Sequence, residues 1–287
     1  MKLIKPSFLI KEQEPGVIGI YRQIEYAGRI CYKSSNKITE DSAKPFVDRM
    51  IKSGHGAMLE HGTVYLDIPN SAGNYNLVPF FASNPYSRVV IRPLDDRVHN
   101  YITTNFRVMI ENFAEEYIPD ILQYLCELTE CHEKRITVHF VCDRGVSHEF
   151  VRHRVMSFAQ ESTRYCNYSK DKFGNEITFI KPCFLDDSKL ALYGPYHTVI
   201  RDKSPESIFI ANLNNAEKDY IDLIDLGWKP QEARAVLPNS LKTELVMTGF
   251  VSDWKYFFEL RCDSAAHPQA RELAIPLREE FIKRNYI

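Results

Sequence analysis

The sequence predicts an α+β fold, a mixed or antiparallel sheet flanked by helices. Three observations carry this expectation. Helical and strand periodicities alternate along the chain without the strict rhythm of a doubly wound sheet. Neither GxxxxGK[ST] nor GxGxxG occurs, so nothing signals a Rossmann unit. The 287 residues contain no internal repeat, and 44% hydrophobic with 26% charged residues is the composition of an ordinary globular chain.

The elements follow in order. Val17, Ile20, Tyr21, Ile24 and Ala27 share a helical face, which predicts a helix over 17–29. A second helix starts near Asp41 or Ser42 and ends before Gly54. Residues 63–68, TVYLDI, alternate as a strand. The polar, Pro- and Asn-containing stretch 69–100 reads as loop, with one strand at 87–92. Helical patterns cover 103–115 and 118–131, so 69–133 is expected to be a loop and helical insertion within one domain spanning 1–287. Residues 136–143 form a strand that Gly145 breaks. Ser147 suits the N-cap of the next helix. A strand at 176–182 and a long helix at 205–226, stopped by Gly227, come next. Residues 231–238 form a short helix ended by Pro238, and 244–249 a strand. Ser252 caps a helix over 252–262, and a last helix from 268 is bent at Pro276.

Bulk properties exclude several functions. The formal net charge of −2 argues against nucleic-acid binding by bulk charge, so any cationic site is local. No apolar run reaches the ~18 residues needed to span a bilayer. The first residues, MKLIKPSFLIKEQEP, lack the apolar core of a signal peptide. Seven scattered cysteines without a CxxC pair fit reduced thiols and a cytoplasmic location rather than a zinc ribbon.

The stretch HEFVRHRVMSFAQESTRY, 148–165, concentrates the chemistry. It resembles a zinc-protease helix in opening on His-Glu with a second histidine nearby. An HExxH helix needs histidines four apart, about 40° around the axis. His148 and His153 are five apart, about 140°, so a regular helix cannot aim both at one ion. No metal site is expected. Arg152, His153 and Arg154 are consecutive, and on a helix they would sweep about 200°, so at least one would point inward. A guanidinium placed there wants a bidentate anion. Gln160, Glu161, Ser162, Thr163 and Arg164 then supply an amide, a carboxylate, two hydroxyls and a guanidinium. That set suits a ligand with a phosphate and polar ring edges, such as a nucleotide.

Arg152-His153-Arg154, seven residues and Ser162 match the RHRx7S signature of flavin-dependent thymidylate synthases, and Thr163-Arg164-Tyr165 extend the match. GHGAMLEHGTVYLDI (54–68), EARAVLP (232–238) and FFELRCDSAAHPQAREL (257–273) resemble further segments of that family. The resemblance implies conversion of dUMP to dTMP. Methylenetetrahydrofolate is then the carbon donor, and FAD reduced by NADPH is the hydride carrier. It implies an α+β homotetramer with active sites between subunits. It places Arg152, His153, Arg154 and Gln160 at FAD, with His61 and Thr63 near the flavin. It places Glu149, Arg152, Gln160, Glu161, Ser162, Thr163, Arg164, Arg234 and Arg261 at dUMP. Arg164 and Arg234 are the phosphate partners. Arg261 lies against the uracil, where it would stabilise developing negative charge, and Ser162 polarises the substrate. Cys166 is expected to be dispensable, because the flavin route needs no cysteine nucleophile.

Some positions depart from the family's pattern. Phe250 and Ser252 stand where relatives carry Asn and Arg, Tyr256 replaces another polar contact, and Ala265 stands where a His is common. Phe250 is a candidate to stack on adenine, and Arg107 of the insertion to replace a phosphate contact. The same departures support an alternative, a nucleotide-binding sensor on this scaffold that has lost catalysis.

Overall fold

A computed structural model describes residues 1–70, 77–94, 97–169, 176–190 and 204–287. The described elements are β1 (Lys2–Ile4), β2 (Ser7–Lys11), α1 (Gly16–Cys31), α2 (Ala43–Lys52), α3 (Gly56–Leu59) and β3 (Thr63–Pro69). They continue with α4 (Leu77–Ser83), β4 (Arg88–Leu94), β5 (Arg97–Asn105), α5 (Phe106–Asn112), α6 (Ile118–Leu122) and β6 (Arg135–Asp143). Next come α7 (Arg144–Phe150), β7 (Ser157–Gln160), β8 (Thr178–Ile180), α8 (Asp187–Leu190) and α9 (Pro205–Asp225). The series closes with α10 (Pro230–Ala233), β9 (Lys242–Phe250), α11 (Val251–Arg261) and α12 (Pro268–Lys283).

The main sheet has the order β2-β6-β9-β7, antiparallel throughout. Among the described residues the parallel pairing is that of β1 with β8. This is the α+β architecture the sequence predicts, without a Rossmann unit. Alternation along β6 and β9 explains why helices cover both faces. Ile136, Val138, Phe140 and Cys142 of β6, with Leu245 and Met247 of β9, join a core with Phe150, Trp254, Phe257, Leu277 and Phe281 from α7, α11 and α12. The opposite face presents Val246 and Ala159 to Ile20, Ile24 and Ala27 of α1. A third cluster packs α9 around Phe179, Cys166 and Leu241.

The segment 69–133 corrects the sequence reading in part. Residues 97–105 form β5, not the loop and helix start expected there, and β3-β5-β4 make a separate antiparallel sheet. Asn100, Tyr101, Ile102, Thr103 and Thr104 are all buried, so tertiary contacts on both faces override the helical pattern. The helix expected over 118–131 ends at Leu122, and Leu125 bridges to Leu66 on the far side of β3. Residues 71–76 and 95–96 of the expected loop lie outside the described residues.

Two caps also differ from expectation. Asp143, not Ser147, is the N-cap of α7, its carboxylate accepting from Val146 N at 2.8 Å. Phe250, not Ser252, is the N-cap of α11, and Asp253 accepts from its N–H at 3.1 Å. Gly227 stops α9 as expected, at φ +95, a left-handed position that favours glycine. Pro276 lies inside α12, which continues through it.

Candidate active site

The strand β6 delivers the chain to Asp143, which starts α7, and α7 ends at Phe150. Arg152, His153 and Arg154 therefore lie in the turn between α7 and β7, not on a helix as the sequence reading had them. The turn sorts the three side chains without helical geometry. Arg152 and Arg154 are exposed, and neither guanidinium bonds to a protein acceptor among the described residues. His153 is 4% exposed and faces inward, its ring edge-on to Phe257 at 4.9 Å.

Arg261, at the end of α11, closes over this turn. Its Nε donates to His153 Nε2 at 2.9 Å, Nη1 to Glu149 Oε2 at 2.6 Å, and Nη2 to Glu149 O at 2.9 Å. Three residues that the sequence places at cofactor and substrate thus form one hydrogen-bonded unit. Burial, helped by the Arg261 charge, holds the His153 ring down to about 4, so it is neutral at pH 7. Nε2 accepts from Arg261, which leaves the ring proton on Nδ1. That N–H is buried and has no acceptor. A buried donor without a partner is costly unless something completes it. An orphaned N–H flanked by two unpaired guanidiniums fits an anionic, acceptor-rich group, and the diphosphate of FAD has that chemistry.

The second half of the site begins on β7. Gln160 Nε2 donates to Ser147 Oγ at 2.8 Å and lies 3.3 Å from Thr243 Oγ1, so the amide is tied to α7 and β9. Ser162 N donates to Cys31 O at 3.0 Å, anchoring the following turn to the end of α1. Arg234, just beyond α10, donates to Thr163 Oγ1 at 3.0 Å. Arg164 is exposed beside the Tyr165 ring. Arg164 and Arg234 therefore border one short turn, exposed and, among the described residues, without a carboxylate partner.

Glu161 is 2% exposed and belongs to a charge cluster that sequence reading missed. Lys242 Nζ donates to Glu161 Oε2 at 2.6 Å and to Glu244 Oε1 at 2.5 Å. Lys33 bonds Glu244 and lies 3.7 Å from Glu161. His139 Nε2 lies 3.0 Å from Glu244. Burial alone would lower the Lys242 pKa and raise that of Glu244. The cluster wins: the charges of Glu161 and Glu244 hold Lys242 well above its ordinary range, and the His139 hydrogen bond followed by the Lys242 and Lys33 charges holds Glu244 well below its own. The signal available in sequence was the period of two. Lys242 and Glu244 share the face of β9 that carries Val246.

His61 and Thr63 are bonded to other partners. His61 is fully buried, its Nδ1 2.8 Å from Thr248 Oγ1, and burial followed by the Arg135 charge holds it down to about 3. Thr63 exchanges backbone bonds with the Gln13 amide at 2.8 Å and takes Arg135 Nη1 at 3.3 Å. No hydrogen bond joins either residue to Arg261, Glu149 or His153.

Phe250 is 2% exposed, with Arg88 at 4.4 Å and Arg135 at 5.5 Å over its ring, so it offers no face to adenine. Ser252 gives its N–H to Glu133 at 3.0 Å. Arg107 is committed to Glu60 at 2.6 Å and Glu111 at 2.7 Å. Tyr256 and Ala265 are exposed. Cys166 is fully buried in the third core cluster.

Comparison with known proteins gives concordant results. A model of the thymidylate synthase complementing protein family matches residues 93–284, more than half of the chain. The flavin-dependent thymidylate synthase of Pyrococcus furiosus is 30% identical over 185 residues, covering 64% of this chain and 69% of that protein. That of Pyrococcus horikoshii is 29% identical over 204 residues, covering 71% and 77%. Among solved structures, a UMP/dUMP methylase, PolB from Streptomyces cacaoi bound with 5-Br dUMP, aligns with 99% of this chain and 93% of its own. Its TM-score is 0.43 and its identity 17%. Family match, sequence identity and the assembled Arg152–Ser162 segment agree: the chain belongs to the thymidylate synthase complementing protein family, the flavin-dependent thymidylate synthases.

Proposed function

We propose that the protein methylates dUMP to dTMP, taking the carbon from methylenetetrahydrofolate and using FAD reduced by NADPH. The unit of Arg261, Glu149 and His153 beside the unpaired Arg152 and Arg154 carries this reading. When bound, the flavin would supply the hydride. Arg152, Arg154 and the Nδ1–H of His153 are the groups that would hold it, with Gln160 at its edge.

Arg164 and Arg234 bind the dUMP phosphate, with Ser162 and Thr163 shaping the turn between them. Guanidiniums without a carboxylate partner keep their full charge for an incoming dianion. Gln160 reads a polar edge of the pyrimidine. Glu149 aligns Arg261 through its carboxylate and its carbonyl. Arg261 uses three of its five N–H groups inside the protein. Two remain to meet negative charge developing on the ring.

The reading includes a homotetramer with active sites between subunits, which gives the exposed Arg152 and Arg154 an interface in which to bind. It includes one domain over 1–287 with 69–133 inserted, and a cytoplasmic location. No helix among the described residues is long and apolar enough to cross a membrane. The described residues include all seven cysteines and contain no disulfide.

The test is the visible spectrum of the purified protein, before and after FAD loading and gel filtration, followed by dUMP-dependent NADPH oxidation with dTMP detected. Light scattering gives the oligomeric state. Retained flavin with turnover supports the reading. A protein that binds dUMP but neither retains flavin nor turns over favours the nucleotide-sensor alternative.

A further inference from the structure

The buried cluster of Lys33, Lys242, Glu161 and Glu244 abuts the nucleotide turn but contains none of its proposed phosphate ligands. Glu161 is held twice. Its main-chain N–H bonds Glu244 O at 2.8 Å, continuing the β7–β9 ladder, and its carboxylate takes Lys242 at 2.6 Å and Tyr168 OH at 3.3 Å. The next residue is Ser162, whose N–H reaches back to Cys31 O at 3.0 Å. Lys33 lies two residues beyond Cys31. It thus ties the end of α1 to β9 on one side, while the Ser162 bond ties α1 to the turn on the other.

Lys33 carries a second signature. Its φ is +47, left-handed backbone that disfavours every residue with a Cβ. Glycine or asparagine would fit with less strain, and a strained position is held only where the surroundings compensate. The compensation is visible: the ammonium bonds Glu244 and lies 3.7 Å from Glu161, with the side chain 31% exposed. Two carboxylates face two ammoniums. Removing one ammonium leaves an excess buried negative charge directly behind the turn that is to receive a phosphate.

We propose that Lys33 is a positioning residue for the nucleotide. It acts through Glu244 and Glu161 to hold the 162–164 turn, and it balances their charge so that the dianion is not repelled. This rests on the reading that dUMP binds at that turn. Lys33 reaches the turn only through Glu244 and Glu161, so its effect belongs to binding rather than to the chemical step.

Lys33→Gly separates this role from simple stability, because it removes the ammonium and relieves the backbone at once. The expected result in the full-length, FAD-loaded enzyme is a KM for dUMP raised by about tenfold with kcat within about threefold, flavin content and Tm unchanged. Lys33→Arg should return KM to within about threefold of the parent. An unchanged KM in Lys33→Gly, or a lowered Tm with parental KM, overturns the proposal. Direct dUMP affinity by calorimetry must move with KM. Failure of the parent enzyme to turn over dUMP would instead remove the functional reading on which the proposal stands.

Discussion

Arg261 is the residue on which the site's geometry turns, and its loss has a readout independent of activity. Burial and the Arg261 charge together hold His153 down to about 4. Arg261→Met removes the second cause and keeps the first. The His153 pKa should therefore rise while staying below its ordinary 6.5, as followed by the ring resonances in an NMR titration. An unmoved His153 would mean that the 2.9 Å contact is not formed in solution. The same histidine links stability to pH. His153 at about 4 and His61 at about 3 are both held below 6.5, so the unfolded chain takes up protons first as pH falls. Their contribution is complete above pH 6.5 and drains as pH falls towards the folded values. His153→Gln should flatten the decline of Tm between pH 6.5 and 4, and an unchanged slope would contradict the neutral buried ring.

At the scale of elements, the start of α7 decides where the turn that carries Arg152, His153 and Arg154 lies. Asp143 accepts from Val146 N at 2.8 Å and from the Gln269 amide at 2.8 Å, joining α7 to α12. Asp143→Ala should cost about 1–2 kcal/mol in urea unfolding, as loss of an N-cap does. Ser147→Ala should cost less than about 1 kcal/mol, because Ser147 caps nothing and Gln160 keeps its Thr243 contact. Equal costs would restore the serine cap that the sequence suggests. The difference between the two residues was not visible in sequence. Both are good caps, and the choice depends on where β6 stops pairing with β9 at Asp143–Lys242.

At the scale of the molecule, the main sheet separates a core under α11 and α12 from one under α1, and the candidate site is assembled at the ends of both. Trp254 is fully buried in the first core and donates its Nε1–H to Ile136 O at 3.1 Å. Trp254→Ala should destabilise by about 3–5 kcal/mol and release α11, and with it Arg261. Near-parental stability would show that α11 is not held by this core. The β3-β5-β4 sheet is docked through Val64, Leu66, Ile68 and Ile102, which join the core under α1, and at its edge through Arg88 on Phe250 at 4.4 Å and Arg88 with Glu133 at 3.4 Å. Arg88→Ala should cost about 0.5–1 kcal/mol and leave the main sheet intact by circular dichroism.

Periodicity and punctuation alone determined the long elements: α1, α9, α11, α12, β3, β6 and β9 all lie where spacing, glycine or strand alternation predicts them. These signals are local, and so they survive without knowledge of the fold. The RHRx7S spacing likewise singled out the segment from Arg152 to Ser162. What only tertiary structure decided is their conformation and their partners. Residues 103–105 are strand because burial on two faces outweighs a weak helical pattern. Arg152, His153 and Arg154 point in different directions because α7 ends at Phe150. Glu161 is clamped because residues 81 and 83 positions further along the chain, Lys242 and Glu244, fold back beside it. Such pairings carry no sequence period, since they depend on the register of strands far apart in the chain, and that register is set by the packing of the whole sheet.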